Sequence, residues 1–359
     1  MIERMFPDFM DIIPSKIQTI EEYKPNKTDY RIRLDANESP FVADGILEEH
    51  MRQAVKTSLN RYPDPLAEEL CEAFKKAYGI ESASVAVGNG SDELISIICS
   101  SFVSKGDKVL VVTPDFSMYE FYLSLAEAQV VRYEKNGDYE IDFEALAELA
   151  KSEEVAFCIF SNPCNPTGRT YSREQILSFV ESVPMPVIVD EAYMDFAGGD
   201  FSVLGDAPFH ENLIVLKTLS KIGFAALRIG FAVGDEPLIG AIRRVKSPYN
   251  VNSLSQWTAT ALLSDFDIVK QRIEYIKENV KALSSSLEAL TAGKGIKIMP
   301  TEANFVTLRF DDGEQASALF EALKEKDISV RYTLGRCLRI TCGLKEENEE
   351  FLKVFASLL

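Results

Sequence analysis

Between Leu213 and Gly230 the chain reads LIVLKTLSKIGFAALRIG, and within eleven residues of it stand Thr218, Ser220, Lys221 and Arg228. Two hydroxyls and a guanidinium suit the binding of a phosphate, and an amine beside them suits covalent chemistry with a carbonyl. A loop with ordinary surface lysines would look the same, so other residues must decide. GNGSDELI (88–95) sets Gly90, Ser91 and Asp92 before a helical stretch, where bare backbone N–H groups hold anions. Ser91 also fits as an N-cap, and a plain capped helix start is the alternative. TPDFSMY (113–119) carries Tyr119, a ring that could stack on a planar group or sit in the core. SNPCNPTG (161–168) forms a rigid loop around Asn165, because two Asn-Pro pairs forbid helix. DEAYMDF (190–196) puts Asp190 at the tip of an apolar run, which is costly unless the carboxylate faces a cation, and Tyr193 follows it.

Something must bring these segments to one place. From residue 80 to 235 short β-branched runs alternate with helical stretches: Val85–Val87, Val109–Val112, Val130–Tyr133, Val155–Phe160, Val187–Val189, Leu213–Leu216 and Ile229–Val233. They are not polar at alternate positions. That is the signature of strands covered on both faces, hence a mostly parallel seven-stranded sheet flanked by helices, an α/β architecture. Each candidate follows such a run, and ligands of open parallel sheets bind beyond the carboxyl ends of the strands. Leu66–Tyr78, stopped by Gly79, and Ile46–Ser58 read as helices. After a long amphipathic helix, Phe266–Leu290, come strand-like Ala303–Phe310, Ile328–Tyr332 and Leu338–Thr341, with helices over Gln315–Lys326 and Glu346–Leu359. The expected division is an N-terminal segment, 1–30, packing with a smaller α+β domain at 251–359, and a large domain at 31–250.

Composition narrows the function. The 359 residues carry a net charge of −18, which repels nucleic acid and anionic membranes. No apolar stretch approaches the ~20 residues of a membrane span, and the N-terminus has no signal-peptide core, so a cytoplasmic protein is expected. Six cysteines without a CxxC pair and only two histidines, His50 and His210, make a metal site unexpected.

A ligand that answers the whole set needs a phosphate, a planar ring, a basic ring nitrogen and an aldehyde. Pyridoxal 5′-phosphate has all four. Lys221 would bond the aldehyde, and Asp190 would keep the ring nitrogen protonated. Asn165 and Tyr193 would reach the ring hydroxyl. Ser91, Thr218, Ser220, Arg228 and the loop amides would take the phosphate. No GxxxxGK[ST] occurs, and GNGSDE lacks the third glycine of a dinucleotide fingerprint.

With LDANESPF (34–41), NRYPDP (60–65), SPYNVNSLSQ (247–256), ANF (303–305) and LRIT (338–341) added, the sequence resembles the fold-type I pyridoxal-phosphate aminotransferases over nearly its whole length, and within them the histidinol-phosphate branch. The resemblance implies a homodimer with a shared active site, in which Tyr62 reaches the partner's cofactor phosphate and Tyr249 and Asn250 approach the neighbouring site. It implies that Arg339 binds a substrate carboxylate, and it makes Arg331 a candidate for the substrate phosphate and Asn37 a further substrate contact. Cys164 stands where an asparagine is common, and Lys217 where an arginine is common. The expected reaction moves an amino group between histidinol phosphate and 2-oxoglutarate. An aromatic amino acid aminotransferase, a phospho-amino-acid decarboxylase resembling threonine-phosphate decarboxylase, and a non-catalytic cofactor-binding regulatory domain are the alternatives.

Overall fold

Thirteen strands run through the described part of the chain: β1 (Ile32–Arg33), β2 (Ser84–Gly88), β3 (Lys108–Thr113), β4 (Gln129–Glu134), β5 (Cys158–Ser161), β6 (Val187–Asp190), β7 (Leu213–Thr218), β8 (Gly230–Gly234), β9 (Ile296–Ile298), β10 (Phe305–Phe310), β11 (Ile328–Ser329), β12 (Arg331–Thr333) and β13 (Cys337–Thr341). The computed structural model describes residues 12–18, 20, 28–41, 45–54 and 58–359.

Seven strands form one sheet in the order β2-β8-β7-β6-β5-β3-β4. They coincide with the seven apolar runs. All point the same way except β8, which is antiparallel to both of its neighbours. Both faces are buried, as unbroken apolar runs require. Ile188, Ile214 and Leu216 pack toward one side with helices Ser91–Phe102 and Glu236–Val245. Val187, Val189 and Val215 pack toward the other with Glu68–Tyr78, Phe143–Glu153 and Arg173–Ser182. At ~1.5–3 kcal/mol for each fully buried Val, Leu or Ile, this sheet is a rigid base for whatever its loops carry.

A second, antiparallel sheet has the order β12-β13-β10-β9. Helix Gly313–Glu325 and the long helix Phe266–Thr291 pack on it, and Lys345–Leu358 packs against both of those helices. β1 pairs in parallel with β11, which ties the segment carrying LDANESPF to this part of the molecule. Leu34 extends that pairing by donating to Ser329 O at 2.8 Å.

One expected boundary moves. The helix expected from Leu66 starts at Glu68, because the Asp64 carboxylate accepts from the amides of Leu66 and Glu68 at 3.0 and 2.6 Å and holds a turn there. It ends at Gly79, whose left-handed backbone (φ 66°) turns its N–H onto the last carbonyls. Of the described part of the N-terminal segment, Lys16 on the helix Ser15–Gln18 reaches Leu125 O and Glu127, both at 2.9 Å, beside the large sheet, while buried Tyr30 leads into β1, whose Ile32 amide donates to Asp327 O at 3.2 Å next to β11. The rest of the expected 1–30 segment, and residues 55–57 of the expected Ile46–Ser58 helix, lie outside the described residues; the described part of that helix is Gly45–Ala54.

Candidate active site

Beyond Thr218 the chain enters a short irregular helical stretch, Ser220–Leu227, broken at Ile222 and at Gly223 (φ 115°). This break lets Lys221 leave the line of β7. Its Nζ makes a long 3.4 Å hydrogen bond to Ala36 O and lies 5.7 Å from the centre of the Tyr193 ring. An amine held this loosely is free to react.

The phosphate candidates converge. Ser220 Oγ accepts from Thr218 Oγ1 at 3.0 Å and from Arg228 Nη1 at 3.3 Å. Arg228 is in the left-handed region (φ 52°), a costly place for an arginine, and this aims its guanidinium back toward Gly90. A Cβ on Gly90 would lie 2.6 Å from Arg228 Nη2, and one on Gly230 would lie 2.4 Å from the amide nitrogen of Ser91. Only glycine permits this approach. Ser91 is the first residue of its helix rather than the cap. Gly90 takes the cap position and supplies no side chain, so the leading amides of a twelve-residue helix have no side-chain cap. Asp92 lies 3.7 Å from Arg228 Nη2.

Asp190 ends β6 and is buried. Its partners are neutral: Tyr119 Oη donates to it at 2.9 Å and the Ala192 amide at 3.1 Å. Burial pushes its carboxyl up to about 6, against the Tyr119 and Ala192 hydrogen bonds. A positive charge brought to the open side of Asp190 would relieve that cost. Of the two readings open to Tyr119, a stacking ring or a core residue, its complete burial fits the second. Its ring is fully buried, edge-on to Phe116 at 5.6 Å, and it serves to orient Asp190 from beneath. The half-buried ring on the loop after β3 is Phe116. The strand-end rule that found the other candidates would have found it.

The Asn-Pro loop meets the smaller sheet. Arg339, on β13, donates to Asn165 Oδ1 at 2.5 Å and to Asp35 O at 2.7 Å, and lies over the Phe305 ring. It is 8% exposed, and its Nε is buried with no hydrogen-bond partner. Burial pulls its guanidinium down, and among the described residues no carboxylate forms an ion pair with it. A buried cation satisfied only by carbonyl oxygens and a ring is a ready carboxylate site. Arg331 stands directly opposite on β12 and is exposed. Like charges at such a pair are unfavourable unless an anion joins them.

Asn37 is sealed rather than open to a ligand. Its Nδ2 donates to Tyr193 Oη at 3.0 Å, while Thr341 Oγ1 accepts from the Asn37 amide at 2.9 Å and donates to its Oδ1 at 3.0 Å. Asn37 therefore holds the Tyr193 hydroxyl with its proton free to donate elsewhere. Lys217 points away from the cradle and pairs with Asp195 at 2.7 Å, beneath the Tyr78 ring.

Tyr62 and Tyr249 are not brought to Lys221 within the chain. They stack on each other at 4.5 Å, with Tyr62 81% exposed. Asn250 lies beneath the glycine turn, donating to Glu93 at 2.6 Å. Leu59, Leu66, Val245, Leu254 and Trp257 are also exposed on these two segments, which are joined by bonds from Lys246 to Pro65 O (2.7 Å) and from Gln256 to Asp64 O (2.9 Å).

These features fit pyridoxal phosphate group by group. The uncapped helix start and Arg228 suit a phosphate, buried Asp190 suits a protonated ring nitrogen, and Phe116 suits the ring. Lys221 suits the aldehyde, and the orphaned Nε of Arg339 suits the carboxylate of an amino or keto acid. Among the described residues no cluster of side chains could hold a metal ion, and no helix is long and apolar enough to cross a membrane.

Known proteins agree with this chemistry. The family described as "Aminotransferase class I and II" matches residues 31–355. A histidinol-phosphate aminotransferase of Clostridium kluyveri is 36% identical over 365 residues, covering 100% of both chains. The crystal structure of a histidinol-phosphate aminotransferase from Sinorhizobium meliloti, in complex with pyridoxal-5′-phosphate, aligns with a TM-score of 0.86 at 23% identity, over 97% of this chain and 98% of that one. An L-threonine-O-3-phosphate decarboxylase from Porphyromonas gingivalis aligns with a TM-score of 0.77 at 24% identity, over 91% and 98%. The fold therefore houses more than one reaction.

Proposed function

This chain belongs to the class I and II aminotransferase family, and on that premise we propose that it moves the amino group of L-histidinol phosphate to 2-oxoglutarate, giving imidazole-acetol phosphate and L-glutamate in histidine biosynthesis. The carrying observation is the pair of facing arginines, Arg339 buried without a counter-anion and Arg331 beside it. Both substrates are anions that would fill such a pair, a phosphate in one and two carboxylates in the other. The cofactor is pyridoxal phosphate, which supplies an aldehyde carbon that bonds amines and a ring that draws electrons from the carbon bearing the substrate amine.

The chain's own groups do the rest. Asp190, oriented by Tyr119, holds the proton on the ring nitrogen. Ser91, Thr218, Ser220, Arg228 and the amides after Gly90 bind the phosphate, with Asp92 ion-paired to Arg228. Asn165 and Tyr193 hold the ring oxygen, and Phe116 covers the ring. Lys221 Nζ would take the proton from the substrate carbon and deliver it to the former aldehyde carbon, and would move it back in the reverse half-reaction; its single long hydrogen bond leaves it free to swing. Asn37 acts through Tyr193 rather than on substrate.

Incubating the protein with pyridoxal phosphate, histidinol phosphate and 2-oxoglutarate should yield glutamate in equal amount to imidazole-acetol phosphate. Release of carbon dioxide from phosphothreonine without glutamate formation would support the decarboxylase reading instead.

Arg339→Lys keeps the charge but loses the fork. It should raise KM for 2-oxoglutarate about 10–100-fold, the scale of one charge-assisted hydrogen bond, and change pyridoxal phosphate affinity little. Steady-state kinetics and equilibrium dialysis check both.

The apolar surface around Tyr62 and Trp257 is the proposed face of a cytoplasmic homodimer, where Tyr62, with no role in its own subunit's cradle, reaches the neighbour's cofactor phosphate and Tyr249 lines that same site. Trp257→Glu should yield a monomer by sedimentation, with pyridoxal phosphate bound more weakly. A monomeric wild type would contradict this arrangement.

A further inference from the structure

A second buried charge pair sits under the site, and no role assigned so far uses either member. Asp115 follows Pro114 at the end of β3, and Lys135 follows β4. Lys135 Nζ and the Asp115 carboxylate lie 3.5 Å apart, with side chains 0% and 1% exposed. Burying two charges in the interior costs several kcal/mol per ion before their attraction is counted, and a hydrophobic pair would usually serve stability as well. What the pair holds is therefore informative.

Asp115 uses both oxygens. Oδ1 accepts from the Phe116 amide at 2.7 Å and from the Ser161 hydroxyl. Oδ2 accepts from the Ser161 amide at 3.0 Å. Ser161 Oγ, its proton committed to Asp115, accepts from the Asn165 amide at 3.2 Å. One carboxylate thus fixes the backbone of Phe116 directly and that of Asn165 through one hydroxyl. Lys135 closes the assembly from the far side, donating to Pro114 O at 2.9 Å and meeting Cys164 Sγ, the residue before Asn165, at 3.0 Å. The two loops come from strands β3 and β5, which neighbour each other in the sheet but are far apart in the chain. Apart from the sheet's own ladder, this assembly is a direct tie between them.

We propose that Asp115 and Lys135, acting through Ser161, are positioning residues that set Phe116 and Asn165 against the cofactor ring. The inference rests on the cofactor reading given above. Burial pushes the Asp115 carboxyl up, and Lys135 is the first group opposing it. Without Lys135 the carboxylate would tend to take a proton, and an oxygen that now only accepts would become a donor facing the Ser161 amide or hydroxyl. Lys135 thereby keeps both Asp115 oxygens as acceptors.

The test uses purified holoprotein and the visible absorbance band of bound pyridoxal phosphate. Asn165 donating to the ring oxygen favours its deprotonated form, so a loosened Asn165 should shift the pH midpoint of that band upward. Lys135→Met and Ser161→Ala should each raise the midpoint by about half a unit or more and weaken cofactor binding about fivefold to tenfold by equilibrium dialysis, the scale of one lost hydrogen bond. Ser161→Ala introduces no unpaired charge, so it serves if Lys135→Met does not fold. Leu287→Ala, a core truncation in the distant long helix, should lower thermal stability but keep the wild-type midpoint. If the wild type shows no band that Lys221→Ala removes, the cofactor reading has failed. If the wild type shows it, and the folded variants keep both midpoint and affinity, the pair is structural only and the proposal is overturned.

Discussion

Lys221→Ala should lose turnover by about 10⁴-fold or more and should still fold. The lysine makes one long hydrogen bond, to a carbonyl at 3.4 Å, and packs in no core cluster, so its removal should change stability by less than about 1 kcal/mol. The phosphate cradle does not use it: Ser220, Thr218, Arg228 and the amides after Gly90 keep their contacts without it. Pyridoxal phosphate should therefore still bind, but without the visible band that needs a protein amine. Lys221→Arg keeps a cation there but gives no base near neutral pH, and should lose as much turnover. Single-turnover kinetics with histidinol phosphate, together with an absorbance spectrum, read out both variants. Retained turnover in either would remove Lys221 from the chemistry.

Asp190→Asn should lose activity and gain stability together. The group that holds the ring-nitrogen proton would become neutral, a loss of about 10²–10³ in rate if it matches other preorganised electrostatic contacts. Stability of the cofactor-free protein moves the other way. The folded carboxyl sits at about 6 because of burial, above the ~3.9 of an unfolded aspartate. The folded chain then binds this proton more tightly than the unfolded chain does. Its contribution is fully present below about pH 4, is lost as pH rises through about 6, and is flat above that. Asparagine carries no such cost; its Oδ1 can accept from the Ala192 amide while its Nδ2 donates to Tyr119 Oη, with the tyrosine hydroxyl turning from donor to acceptor. At pH 8 the cofactor-free Asp190→Asn protein should exceed the wild type by on the order of 3 kcal/mol, and the gap should close toward pH 4. Glu191, also raised by burial, to about 7, is common to both proteins and cancels. Denaturant unfolding at pH 4.5 and 8 measures the gap. A variant less stable than wild type at both pH values would show that Asp190 bears no burial cost.

The parts legible in the sequence were those governed by local pattern. Seven unbroken β-branched runs became seven strands because a strand covered on both faces has no polar side to show. Lys221, Asp190 and Asn165 stood out because each follows such a run and ends where ligands bind. What stayed hidden depended on direction or distance. Tyr119 and Phe116 are three residues apart; sequence gives the ring types but not that the helix Met118–Leu125 turns Tyr119 under Asp190. Asn37 read as a substrate contact, but its left-handed backbone (φ 55°) and the β13 hydroxyl of Thr341 turn it onto Tyr193. Ser91 was a plausible cap until Gly90 took that position. Lys135 and Asp115 are twenty residues apart, and only the parallel pairing of β3 with β4 brings them face to face. Tyr62 and Tyr249 stack on each other although they are far apart in the chain, a pairing that local pattern does not signal.

The most direct measurement of the substrate is a half-reaction panel. The pyridoxal phosphate holoprotein, with no keto acid present, is mixed separately with histidinol phosphate, phenylalanine, tyrosine and phosphothreonine, and the loss of the visible band is followed by stopped flow. Fast loss with histidinol phosphate, and loss at least tenfold slower with the other three, is the predicted result. Equal or faster loss with an aromatic amino acid, or carbon dioxide released from phosphothreonine, would contradict it.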